Sequence, residues 1–249
     1  MSALQRNAVN LFIQATGASN KTANQYLRSH SWNLDAAVSE FLDSNANRTS
    51  SKKQIKALTE IFEKYIDEED PSIIGIDGTI SFVQDLGMDV EDPSVLALVC
   101  KLEAPTVGQF SKDGFIKGWQ SLGVDSFPKM KSAAESLKES MLTDPDFFKQ
   151  VYRYTFTFIK PSGQRNLPLD LAVEYWNLLL KDRFASPELF EKWIHFARDV
   201  YKRVVSKDTW NMLYEFNESV LKSDSGLESY DPEAAWPSIF DEFVTFLKA

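Results

Sequence analysis

The sequence predicts an all-α protein in two parts, a small three-helix module followed by a larger helical domain. Apolar residues recur at helical spacing almost throughout, no segment alternates convincingly at period two, and cap residues and prolines punctuate the chain at helix-length intervals. At 249 residues, 43% hydrophobic and 25% charged, the chain is long enough for one sizeable core plus a small extra module.

The first helices are read from Val9, Phe12 and Ile13, then Ala23, Tyr26 and Leu27, then Leu34, Val38, Phe41 and Leu42, the last set at i, i+4, i+7 and i+8. Asn33 is placed to cap the third, and Asp35 in its first turn complements the positive end of the helix dipole. Residues 44–54 are small and polar with no apolar period, so the module is assigned to 1–45, a linker to 46–54 and the larger domain to 55–249. In that domain Leu171, Tyr175, Leu178 and Leu179, and later Phe190, Trp193, Ile194, Ala197 and Val204, continue the helical period. Asp92-Pro93, Ser126, Thr143-Asp144-Pro145, Ser186-Pro187, Ser206 and Asp231-Pro232 mark the boundaries of roughly nine or ten helices.

Composition excludes several function classes. The apolar runs, such as Val95 to Cys100, fall far short of the roughly 20 residues that cross a bilayer, and Met1-Ser-Ala-Leu-Gln-Arg has no hydrophobic signal core. A lone cysteine, Cys100, allows no internal disulfide and points to a reducing compartment, cytoplasmic and nuclear. Cys100, His30 and His195 are the only soft ligands, too few for a structural zinc site, so no metal and no cofactor are expected. Cys100 lies in an apolar helical stretch, which reads as an inert buried thiol. A net charge of −9 disfavours nucleic acid and anionic membrane and favours a basic protein partner. From Asp208 onward nine acids face only Lys222 and Lys248, which concentrates the excess at the C-terminal end.

Asp77-Gly78-Thr79-Ile80 carries the Asp-Gly-x-Ile core of a calcium-binding EF-hand loop. With Gly78 at loop position six, Ile73 falls at position one, Gly75 at three and Gln84 at twelve, where carboxylates are required. The expectation is therefore EF-hand-like helix pairs lacking calcium ligands. The glycines never cluster ahead of a Lys-Ser/Thr or a helix start, so no nucleotide loop is indicated. Glu68-Glu69-Asp70 and Asp241-Glu242 read as solvated acidic faces, because nothing in the sequence buries or pairs them.

Residues 1–45 resemble a ubiquitin-associated (UBA) domain in size, three-helix pattern and the closing stretch Trp32-Asn-Leu-Asp-Ala-Ala-Val-Ser-Glu-Phe-Leu. In that family a Met-Gly-Phe-type first loop and the end of helix three hold ubiquitin. The resemblance implies weak ubiquitin contacts at Gly17, in a loop reading Thr16-Gly17-Ala18, and at Phe41 and Leu42. Packing alone would have Phe41 and Leu42 close a small core.

Residues 55–249 resemble the cullin-binding (PONY) domain of the defective-in-cullin-neddylation family. The stretches that carry this are Ile74-Gly-Ile-Asp-Gly, Phe110-Ser-Lys-Asp-Gly-Phe, Tyr175-Trp-Asn-Leu-Leu-Leu, Lys207-Asp-Thr-Trp-Asn and Ala235-Trp-Pro-Ser-Ile-Phe-Asp-Glu-Phe. The resemblance implies a scaffold-type ligase, not an enzyme in its own right, that promotes transfer of a ubiquitin-like modifier from its conjugating enzyme to a cullin lysine. The family's acidic cullin-docking triad falls on Asp208, Ala235 and Asp241, in line with the local charge excess. Its pocket for the acetylated N-terminus of the conjugating enzyme falls on Ile76, Thr79, Val95, Leu98, Val99, Leu102, Val107, Phe110, Phe158, Tyr175 and Leu178, which period alone would read as core. The implied partners are a cullin C-terminal domain, the neddylation conjugating enzyme and ubiquitin.

Overall fold

Ser2 opens the first helix, α1 (Ala3–Thr16), with a capping box: its hydroxyl accepts the Gln5 amide while the Gln5 side chain accepts the Ser2 amide. Gly17 closes α1 in the left-handed region at φ 68°. Ser19 caps α2 (Asn20–Ser29), and Asn33 Oδ1 accepts the Ala36 amide at the head of α3 (Leu34–Phe62), the cap that the sequence placed there. Val9, Phe12, Ala23, Leu27 and Ala37 form a buried core, against which Phe41 sets its ring edge-on to Phe12 and Tyr26 at 5.4 and 5.3 Å. His30 pairs with Glu40, fastening the end of α2 to α3.

The computed structural model describes residues 2–228 and 230–249, with the side chains of Ala3 and of residues 47–50 outside the description. Two compact units divide at Leu58/Thr59. The stretch 46–54, read above as a linker, is helical: α3 runs through it without a break. No Gly or Pro lies between Leu34 and Phe62, and Ala, Arg, Lys and Gln all favour helix. The missing apolar period meant that this stretch has no face to bury, not that it cannot coil.

The larger unit begins with helix–loop–helix pairs. A short strand β1 (Ile73–Ile74) leads into α4 (Ile76–Asp85) and then α5 (Val95–Lys101), and a second, β2 (Phe110–Ser111), leads into α6 (Lys112–Ser121); the strands pair antiparallel with Ile74 opposite Phe110. Strands of two residues are too short to show alternation in a sequence. Asp77-Gly78-Thr79-Ile80 forms the first turns of α4 and not a loop, which corrects the EF-hand register. Gly78 is required there because a Cβ would lie 2.1 Å from the Tyr65 carbonyl oxygen. Among the described residues no group of three or more His, Cys, Asp or Glu side chains is placed to hold a metal ion.

The remaining helices are α7 (Phe127–Thr143), α8 (Pro145–Ile159), α9 (Leu169–Leu180), α10 (Pro187–His195), α11 (Lys207–Phe216) and α12 (Ser238–Lys248). Asp144, Ser186 and Ser206 cap α8, α10 and α11 through their side chains, as the sequence indicated. α10 continues as a π-helical segment to Tyr201 and stops at Lys202, whose φ is 53°; Val204 therefore leaves the apolar face and stands 55% exposed. α12 starts behind Pro237, whereas Asp231 caps a turn by accepting the Glu233 amide, so the expected start at Asp231-Pro232 is also corrected. In the core, Tyr152 donates to the Trp210 carbonyl at 2.8 Å and Trp210 Nε1 donates to the Tyr152 carbonyl at 2.9 Å, with the rings stacked at 4.8 Å. This reciprocal pair locks α8 to α11 with both polar groups satisfied.

Candidate functional site

α4 and α5, with Phe158 of α8 and Tyr175 and Leu178 of α9, enclose a cavity of about 270 Å³. Ile76, Thr79, Val95, Val99, Val107, Phe158, Tyr175 and Leu178, all named from the sequence, line it. Leu98, Leu102 and Phe110 do not; they are fully buried in the core. A helical period marks a buried face as a whole and cannot separate a cavity wall from the interior behind it. Ile80, Val83, Val90, Glu91, Asp92, Pro93, Leu96 and Gly108 complete the wall and were missed. Ile80, Val83 and Leu96 were visible as apolar positions one or a few places from those chosen, whereas Val90, Pro93 and Gly108 come from loops that have no period.

The mouth of the cavity is mainly aliphatic. Ile76, Ile80, Val90, Val107 and Leu178 are 39–66% exposed, an uncommon gathering of large aliphatic side chains at a surface. Gly108, at φ 71°, lets its loop descend on α4, since a Cβ there would sit 2.8 Å from Ile76 Cγ1. Asp92 stands at the same mouth and accepts from Lys138 Nζ at 2.5 Å and from the Ser94 amide at 2.8 Å. Burial works to raise the Asp92 pKa, but these donors, Lys138 foremost, outweigh it and hold the carboxyl below its ordinary 3.8. Half-burial lifts the Tyr175 phenol above its ordinary 10.0, with Glu174 adding to the effect, so the pocket presents a neutral hydroxyl at neutral pH. Cys100 is buried and its thiol is pushed up to about 11, mainly by desolvation, which fits the inert thiol expected.

The acidic triad lies on α11, on the loop before α12 and on α12. Asp208 is exposed in the first turn of α11, Ala235 is exposed in the loop, and Asp241 is half-buried in the first turn of α12. Phe216 and Phe240 stack at 4.6 Å and join the two helices, and Arg203, just ahead of α11, lies 3.7 Å from Glu242. Asp241 Oδ1 accepts the Tyr230 hydroxyl at 2.6 Å. Burial, and then the Asp241 carboxylate that holds its proton, keep the Tyr230 phenol above its ordinary 10.0. Sequence reasoning missed Tyr230, whose only signal was an aromatic set in an acidic run. Asp208 has no ion-pair partner among the described residues. In the small module Gly17 is the left-handed cap of α1, Phe41 is built into the aromatic core, and Leu42 is 48% exposed.

Residues 129–246 match the family described as "Cullin binding", and residues 6–48 match that described as "UBA-like domain". Together with the fold they define a two-part helical protein with a UBA-like module ahead of a cullin-binding domain. Similar proteins named "Defective in cullin neddylation protein 1" include that of Yarrowia lipolytica, 39% identical over 94% of this chain and 92% of the relative. Those of Cryptococcus neoformans and Saccharomyces cerevisiae are 33% and 28% identical, over 96% and 98% of this chain and 92% and 94% of theirs. The chain belongs to the defective-in-cullin-neddylation family.

Proposed function

We propose that this protein is a scaffold-type neddylation ligase: it holds a cullin on the acidic surface around Asp208, Ala235 and Asp241, and receives the acetylated N-terminus of the neddylation conjugating enzyme in the apolar cavity. Family membership and the cullin-binding match support the coarser part, a role in cullin neddylation. The observation that carries the finer part is the cavity of about 270 Å³ with an aliphatic mouth. An acylated N-terminus is uncharged and can enter such a site, whereas a free ammonium would lose its hydration against a mainly aliphatic wall where Asp92 is already engaged by Lys138 and Ser94 and Glu91 is exposed. Catalysis is then by approximation. Tethering both partners raises the effective concentration of the charged conjugating enzyme at the acceptor lysine, and the reactive cysteine belongs to that enzyme.

The test is single-turnover transfer of the modifier from the charged conjugating enzyme to a cullin. Wild type is expected to accelerate transfer, and the Asp208→Lys/Asp241→Lys variant, with its helical spectrum unchanged, is expected to lose at least about 100-fold in cullin affinity, the scale of reversing complementary charges at an interface. Failure of wild type to accelerate transfer overturns the proposal. Undiminished cullin binding by the variant overturns the docking surface.

A further inference from the structure

One polar atom of the cavity wall is both buried and unpaired. Thr79 lines the cavity, yet its Oγ1 is buried from water and meets no hydrogen-bond partner. The other polar side chains of the lining differ: Asp92 is engaged by Lys138 and Ser94, Glu91 is exposed, and Tyr175 is half-buried. A buried hydroxyl with no partner is a standing cost to the free protein, of the kind that folded proteins rarely keep without a use. Thr79 sits in the first turns of α4, where its backbone is fixed by the helix. One step of about 120° in χ1 carries its hydroxyl into the place the methyl holds and the methyl into that of the Cβ hydrogen, re-aiming the hydroxyl, and threonine in helices divides between two such rotamers.

We propose that Thr79 is a specificity-determining residue of the cavity, turning its hydroxyl to donate to the acyl carbonyl oxygen of an N-acylated peptide. The inference rests on the reading of the cavity as an N-terminal pocket and sharpens it: the occupant must be uncharged and must also bring an acceptor to α4. An aliphatic residue at this position would line the wall as well and stabilise the free protein better, but it would take this donor away from the carbonyl.

The experiment uses the full chain and a short synthetic peptide beginning with N-acetyl-methionine, titrated by calorimetry against wild type, Thr79→Val and Thr79→Ser. Thr79→Val keeps the shape and removes the hydroxyl, and is expected to bind about fivefold more weakly, the range of one neutral hydrogen bond. Thr79→Ser keeps the hydroxyl and is expected to bind more tightly than Thr79→Val. Free Thr79→Val is expected to melt at or above the wild-type temperature, which excludes misfolding as the cause of its loss. Wild-type binding that is unchanged in Thr79→Val overturns this inference alone; absence of binding by wild type overturns the pocket reading and this inference with it.

Discussion

Asp92 shows how a single side chain can couple the cavity mouth to pH. Its carboxyl is held below 3.8 by Lys138 and the Ser94 amide, against the opposing effect of burial. A carboxyl whose folded pKa is depressed contributes stability above its unfolded pKa and loses that contribution as pH falls through the folded one. Asp92→Asn is therefore expected to cost about 1 kcal/mol at pH 7, the scale of a partly exposed charged hydrogen bond. The difference from wild type should shrink as pH falls through the folded pKa, because the Asp92 carboxyl then becomes neutral. Urea unfolding at pH 7 and at a series of decreasing acid pH values measures this. A deficit that stays constant across the series would assign the loss to packing. Asp92 also illustrates what a sequence conveys at this scale: Asp92-Pro93 reads as a helix boundary, but its bond to Lys138, 46 positions away, leaves no local trace.

Helices were legible where an apolar face had to be buried or a cap had to be made. Asn33, Asp144, Ser186 and Ser206 stand where their helices begin, because an N-cap is a contact within three residues. The 46–54 stretch, the two-residue strands and the start of α12 were not legible. Each is decided by context: a helix continued from its neighbour, a strand pair between Ile74 and Phe110, and a proline turn ahead of Ser238. Within α3, Phe41 and Leu42 are adjacent in sequence and both apolar, yet Phe41 packs on Phe12 and Tyr26 while Leu42 is 48% exposed. Phe41→Ala is expected to destabilise the small unit by about 3 kcal/mol, at the lower end for a core Phe truncation because the ring is only half-buried. Leu42→Ala should stay within about 0.5 kcal/mol. Proteolysis of residues 1–58 under native conditions separates the two, with rapid cleavage expected only for Phe41→Ala. If ubiquitin binds this module, Leu42 and not Phe41 supplies the free apolar contact.

At the scale of the whole molecule, both proposed docking sites lie in the larger unit, residues 59–249, and the smaller unit supplies none of their residues. The charge excess at the C-terminal end was legible because nine acids fall after position 207, whereas the triad Asp208, Ala235 and Asp241 was placed there by family resemblance. The cavity was legible only through family resemblance, since its lining comes from α4, α5, α8, α9 and two loops that only the fold brings together. This division of labour makes a direct prediction. Removing residues 1–45 eliminates the small module's core, including Phe12, Leu27 and Phe41, but leaves every cavity and triad residue in place. Sites that share no partners contribute nearly additively, so the truncated chain is expected to stimulate modifier transfer to a cullin within about twofold of the full chain. An adaptor that acts by reading ubiquitin through its UBA-like module would instead lose its activity with those residues. Transfer assays on the two chains, at equal concentrations and with cullin in excess, decide between a ligase that carries a ubiquitin-binding accessory and an adaptor for which the helical domain is only a support.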